Sequence, residues 1–297
     1  DAIDLSGSTT YAGSSAELTA VAGDINNTGA SLQTAGTLTA IASGTIRNDQ
    51  DANQVKGEIK AGQLTLTADG ISNQGGNLTQ MGLGTTNLTA NNSIDNTGGE
   101  IFTNGESIQI KANSLKNSQG KLEHAGTGLL SVETEENYKN DDGKLATNGQ
   151  LYLTSQEIDN TRGIISAKNI DIISQSAINN SQGLISSSGD TLLSAQGAVN
   201  NEQGSIEASK GLIVTAQSLN NQKGRIVSLG TSNMKVTTSQ DIQNQSGLIG
   251  GNGKVEITAR HLSNQSGQIT AQSNLTIAAA NGIDSNLAAG DVKDDGT

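Results

Sequence analysis

The frame apolar-x-Asn-x-x-Gly-x-apolar occurs ten times in succession along this chain, at intervals of 20 to 23 residues and without one slip of position. The copies begin at Ile71, Ile94, Leu115, Tyr138, Ile158, Ile178, Val199, Leu219, Ile242 and Leu262. Weaker copies begin at Ile25 and Ile46, with Asn27 and Asn48 in the asparagine position, so twelve rungs are recognisable. Self-similarity at a short, nearly constant period marks a solenoid, in which a repeat buries its apolar face only by stacking on its neighbours.

Within a rung the apolar residues fall at alternate positions over short runs, the period of a half-buried strand rather than of a helix. In the Ile94 rung the inward set is Ile94, Asn96, Ile101, Ile108 and Ile110; in the Tyr138 rung it is Tyr138, Asn140, Leu145, Leu151 and Leu153. Three short strands per rung, bent at Gly or Asn-Gly corners and each paired with its equivalent one rung above and below, predict an all-β parallel β-helix. The repeats define a domain over 23–281, preceded by a partial or irregular rung at 1–22 and followed by a partial rung or linker at 282–297.

The asparagine column runs Asn73, Asn96, Asn117, Asn140, Asn160, Asn180, Asn201, Asn221, Asn244 and Asn264. It shares parity with the apolar anchor two residues earlier, which turns its side chain inward. Stacked at about 4.8 Å, each carboxamide can donate to one neighbour and accept from the other, giving a structural ladder. The glycine three residues further on is expected to supply the positive φ that the corner needs.

Hydrophobic residues make up 33% of the chain and aromatics 1%, too few for a conventional globular core. A narrow solenoid needs only a file of Ile, Leu, Val and Ala, so the low value does not imply disorder. Proline is absent, as expected where nearly every backbone N–H joins a ladder. A net charge of −12, with basic residues scattered among carboxylates, disfavours nucleic acid as a partner. No apolar run is long enough to span a bilayer as a helix. Cysteine is absent, which removes disulfides and thiolate metal sites and suits export through an oxidising compartment. The chain opens on acidic and small residues rather than on a signal peptide, and we expect it to be a piece of a longer protein.

The units Ile178-Asn-Asn-Ser-Gln-Gly-Leu-Ile, Leu219-Asn-Asn-Gln-Lys-Gly-Arg-Ile and Leu262-Ser-Asn-Gln-Ser-Gly-Gln-Ile, followed by strands such as Leu275-Thr-Ile-Ala-Ala, closely resemble filamentous haemagglutinin repeats. The resemblance covers about residues 23 to 281. It implies a right-handed β-helical filament from a two-partner-secreted exoprotein, either an adhesin or a contact-dependent growth inhibition effector. It further implies export by an outer-membrane transporter partner, a secreted or bacterial cell-surface location, and contact with a receptor on a target cell.

Departures from the frame mark where binding would lie. Extra residues fall mainly between the second and third strands, as at 81–86 and 228–232, or in a swollen corner at 49–56. The Leu115 rung is the most acidic and least repetitive, and supplies the candidate partner-contact residues His124, Glu133, Glu135, Tyr138 and Asp141. These lack any metal-ligand spacing, and a charge run is most often a solvated face. The acidic tail from Gly290 to Gly296 superficially resembles a calcium loop but lacks its ordered carboxylates, and reads as a linker. Sequons at Asn87 and Asn274 are unremarkable in so Asn-rich a chain.

The alternative function is a polysaccharide-active β-helix enzyme, a lyase or hydrolase. It would need carboxylates converging on one cleft, yet the two histidines, His124 and His261, sit on different rungs and the carboxylates form no column. No catalytic, cofactor or metal motif is present. An ice-binding face would need a regular outward threonine array, and the pair Thr65 and Thr67 gives way to Gln109 and Lys111 in a later rung.

Overall fold

In the computed structural model, which describes residues 1–285, the described residues form short strands and turns with no helix. The chain comprises two units, Asp1–Ile172 and Ile173–Thr297, and the described residues of each form a parallel β-helix. The Ile94 rung shows the local logic in the first unit. Its strands are Ser93–Asp95, Glu100–Thr103 and Ile108–Ala112, and burial alternates along each of them. Every strand pairs in parallel, in register, with its equivalents on both sides. In the first sheet Ile71, Ile94 and Leu115 stand in line; in the second, Leu78, Ile101 and Leu122; in the third, Leu88, Ile110 and Val132.

The second unit repeats the arrangement with Ile178, Val199, Leu219, Ile242 and Leu262 in one column and Ile185, Ile206, Ile226, Ile249 and Ile269 in another. Because register is exact to the residue, a period-two sequence superposes like on like. A one-residue slip in any strand would turn its whole apolar set to water. The core of each unit is therefore a set of aliphatic files, and residues between Ile25 and Leu262 in these files are essentially inaccessible.

Residues 1–22 place one strand in each sheet, Ile3–Asp4, Thr9–Ala12 and Ala16–Ala20, all paired to the following rung. Of the terminal segment 282–297, Ile283–Asp284 joins the first sheet; the acidic tail from Gly290 lies outside the described residues.

One expectation is corrected. The corner's positive φ does not sit on the repeated glycine but on the residue before it. Gly75, Gly98, Gln119, Asp142, Arg162, Gln182, Gln203, Lys223, Ser246 and Ser266 occupy the left-handed region, with φ between 54° and 64°. The repeated glycine is required for a different reason, close approach. A Cβ on Gly99, Gly120, Gly143 or Gly163 would lie 2.0 to 2.1 Å from the backbone oxygen of the asparagine one rung earlier. The same holds at 2.1 Å for Gly204, Gly224, Gly247 and Gly267 in the second unit. Backbone cannot yield there without spreading the rungs. The preceding position tolerates Gln, Lys or Arg because the left-handed conformation costs a side chain only about 1–2 kcal/mol.

Adjacent residues of one corner should thus respond oppositely. Gly224→Ala is expected to cost about 3 kcal/mol through overpacking. Lys223→Gly should stay within about 1 kcal/mol of the parent, on the stabilising side. Urea unfolding of the two variants measures both; a larger loss for Lys223→Gly would overturn the assignment.

Candidate functional site

The repeated asparagines form a continuous hydrogen-bonded column inside each unit. In the first, Asn27 donates from Nδ2 to Asn48 Oδ1, and so onward through Asn73, Asn96, Asn117 and Asn140 to Asn160, at 2.6 to 2.7 Å per link. In the second, Asn180, Asn201, Asn221, Asn244 and Asn264 are linked likewise at 2.6 to 2.7 Å. Along the column the Nδ2 also faces two carbonyls, one closing its own corner and one on the next rung, whereas the last, Asn264, faces only Gly267 O among the described residues. For Asn96 these are Gly99 O at 3.3 Å and Lys121 O at 3.1 Å. Asn27 to Asn244 are 0% exposed, so the amide spends its donor capacity inside the stack, on the next asparagine's oxygen and on corner carbonyls. At the start of the first column Leu5 stands opposite Asn27, one position beyond the Asp4–Asn26 pair, and the Asn27 Oδ1 is buried without a partner among the described residues.

Outside this column lies a device that sequence reasoning missed. The residue just before the column asparagine is often Asp or Asn, and its carboxyl or amide oxygen accepts the N–H two residues on. Asn26, Asp95, Asp159, Asn179, Asn200 and Asn220 all close such turns at 2.9 to 3.2 Å. The recurrence of Asp or Asn before the column was the available signal.

A second buried polar file runs along the ends of the second strands in the first unit, with Gln80, Thr103, His124 and Thr147 in register. His124 is 2% exposed. Its Nε2 lies 2.9 Å from Gly105 O and its Nδ1 2.8 Å from Thr147 Oγ1. A carbonyl only accepts, so in the neutral ring Nε2 carries the proton and Nδ1 accepts from the Thr147 hydroxyl. That hydroxyl oxygen in turn accepts Gly149 N–H at 3.0 Å. Burial holds the His124 pKa below its ordinary value, only partly opposed by its bonds to the Gly105 and Glu106 backbone.

The five candidate contact residues therefore separate. His124 and Tyr138 are buried, Tyr138 completely, in the anchor column between Leu115 and Ile158. Neither can present itself to a partner, and parity already carried that signal: His124 follows the inward Leu122 by two residues. Burial pushes the Tyr138 hydroxyl far above the usual phenol range. Glu133, Glu135 and Asp141 lie on the surface, the first two beside one another at an open recess and Asp141 at the asparagine corner, where it accepts from Ser118 Oγ at 2.5 Å. On the outer faces several other carboxylates are paired across rungs, as in Lys121–Glu100 at 2.9 Å and Arg162–Asp142 at 2.6 Å. Among the described residues no group of three or more His, Asp and Glu is placed to hold a metal.

The haemagglutinin repeat profile matches residues 4–57, 59–98, 81–134, 140–202, 192–246 and 233–293. A protein described as Toxin CdiA, from Yersinia pestis, is 38% identical over 103 residues, which is 35% of this chain and 3% of that protein. The aligned stretch is thus a small fraction of that relative's length. No solved structure matches the chain.

Two measurements follow from the buried polar files. Asn180→Asp puts a carboxylate against Gly183 O, Asn201 Oδ1 and Ser205 O, now 3.3, 2.7 and 3.1 Å from the amide nitrogen. It is expected to cost about 3 kcal/mol or more at neutral pH, and less in acid, where the protonated acid regains one donor. Equal stability of variant and parent at pH 7 would count against the inward column. For His124, the folded pKa lies below the unfolded value near 6.5, so the unfolded chain binds the proton more tightly and stability falls as pH drops below about 6.5. The carboxylates held low by basic partners, Glu100 by Lys121 and Asp142 by Arg162, lose their contribution only at lower pH. His124→Gln should therefore flatten the stability profile between pH 7 and 5; an unchanged slope would show that His124 does not carry it.

Proposed function

Given that the chain belongs to the haemagglutinin repeat family, we propose that it is a shaft segment of an exported bacterial adhesin or contact-dependent inhibition effector, and that its outer surface contacts a target cell. The observation that carries this reading is the recurring repeat, matched by the family profile in six segments that cover nearly all of residues 4–293. The family and the relative mark a secreted or cell-surface exoprotein, and point to structural repeats rather than to an enzyme. Export through an outer-membrane transporter partner fits the same assignment.

The mechanism is mechanical. Within each unit three backbone ladders and one amide column tie every rung to the next, and the stack gains rigidity because no rung can shift register alone. Parallel stacking lets each folded rung serve as template for the one after it, which suits a chain that emerges from a membrane progressively. The outer faces then remain free to vary, and the carboxylates there give the −12 charge that keeps such surfaces apart in solution.

The fluorescently labelled chain, incubated with Gram-negative cells and with epithelial cells, is expected to bind one of the two saturably. Absence of binding to either would remove the contact role and leave a passive shaft.

A further inference from the structure

The third corner of the first unit, where a third strand hands over to the next first strand, has four residues at 21–24 and from there on alternates in length. Two residues connect at Ser43-Gly44, Asn91-Asn92 and Glu135-Glu136, and one at Asp69, Asn113 and Gln156. The short corner at Asn113 is consequently set back between two longer ones, and a recess of about 500 Å³ opens there. Its floor is small, Ala90 and Ala112, and its rim is backbone-tied: Ser114 N donates to Asn92 O at 3.0 Å and Glu136 N to Asn113 O at 2.7 Å. The recess is therefore shaped by the main chain.

Polar groups converge on it. Lys111 and Glu133 pair at 3.3 Å across one side, both largely solvent-facing. Asn91, Asn113 and Glu135 line the rest, with Thr154 beyond them. Among the described residues the side chains of Asn91, Asn113 and Glu135 make no hydrogen bond or ion pair, whereas the neighbouring Asn92 is bound to Asp69 at 2.7 Å. Two carboxamides, an ammonium and two carboxylates thus offer donors and acceptors at short spacing around a small apolar floor. A cation alone would meet Lys111. A sulfated or uronic ligand would meet two carboxylates against one ammonium in a chain of net charge −12. A ring bearing neighbouring hydroxyls, each both donor and acceptor, satisfies all of them.

We propose that this recess is a binding site for a neutral oligosaccharide, on the order of a disaccharide in extent. Glu135 and Asn113 would take vicinal hydroxyls, Lys111 and Asn91 would donate from the opposite side, and the sugar's C–H face would rest on Ala90 and Ala112. The inference rests on the cell-contact reading above and gives it a ligand class.

The test is a glycan array of neutral, sulfated and uronic oligosaccharides probed with the labelled chain, followed by titration calorimetry of the best neutral glycan. Glu135→Ala and Asn113→Ala change exposed or half-exposed groups, so thermal unfolding should show both folded; Glu207→Ala, in the second unit, is the remote control. Neutral glycans should be retained and anionic ones not, with each recess variant weakening binding about tenfold, the loss of one or two hydrogen bonds, and the control leaving it unchanged. Retention of anionic glycans in preference, no retention of any neutral glycan, or affinity unaltered by both recess variants would overturn the site. Whole-cell binding measured in parallel separates the two readings: cells bound without glycan binding leave the contact role standing and remove only the recess, while loss of both removes both.

Discussion

The contact on which each unit depends is between one asparagine and the rung that follows it. Its carboxamide nitrogen reaches the next asparagine's oxygen at 2.6 to 2.7 Å, while its backbone oxygen sits where a Cβ on the next repeated glycine would be. The two halves of this contact act together. The hydrogen bond draws successive corners to one spacing and the absent side chain allows that spacing. Remove the amide and the next asparagine's buried oxygen loses its donor while two nearby carbonyls lose a polar contact; add a methyl and the corners cannot close. A single motif therefore sets translation along the stack, and the aliphatic files inherit their register from it.

With register settled at one corner, the other two are free to differ, and they do. The second corner ranges from Gly62 alone to the five-residue segment 81–85, and carries the buried file that includes His124. The third alternates in length from Ser43-Gly44 to Gln156 and makes the recess beside Asn113. Cross-rung pairs such as Lys144–Glu123 sit on the outside, where solvent leaves each a small stabilising role. Their value is in shaping which partners the surface accepts.

Much of this was legible in the amino-acid sequence because period two and a repeat of 20 to 23 residues are both direct images of geometry. The inward residues of the Ile94 rung are buried as the alternation requires. What was misread were matters of one residue or of side-chain environment. The positive φ lies on Gln119 or Lys223 rather than on the glycine that follows, because steric need and conformational freedom produce the same conserved-looking spacing in a corner. His124 and Tyr138 were grouped with surface carboxylates for their chemistry, although their strand parity placed them inside. The recess was not legible, since it arises from differences in corner length between neighbouring rungs and from which side chains remain unpaired after folding.

Hydrogen exchange of side-chain amides, followed by NMR on the 15N-labelled chain, tests the central contact most directly. If the column holds the stack, the Nδ2 protons of Asn96, Asn117 and Asn201 should exchange as slowly as core backbone amides, while those of the exposed Asn91 and Asn281 exchange fast. Column and surface asparagines exchanging alike would contradict the account, because the amides could not then be closing the corners from within.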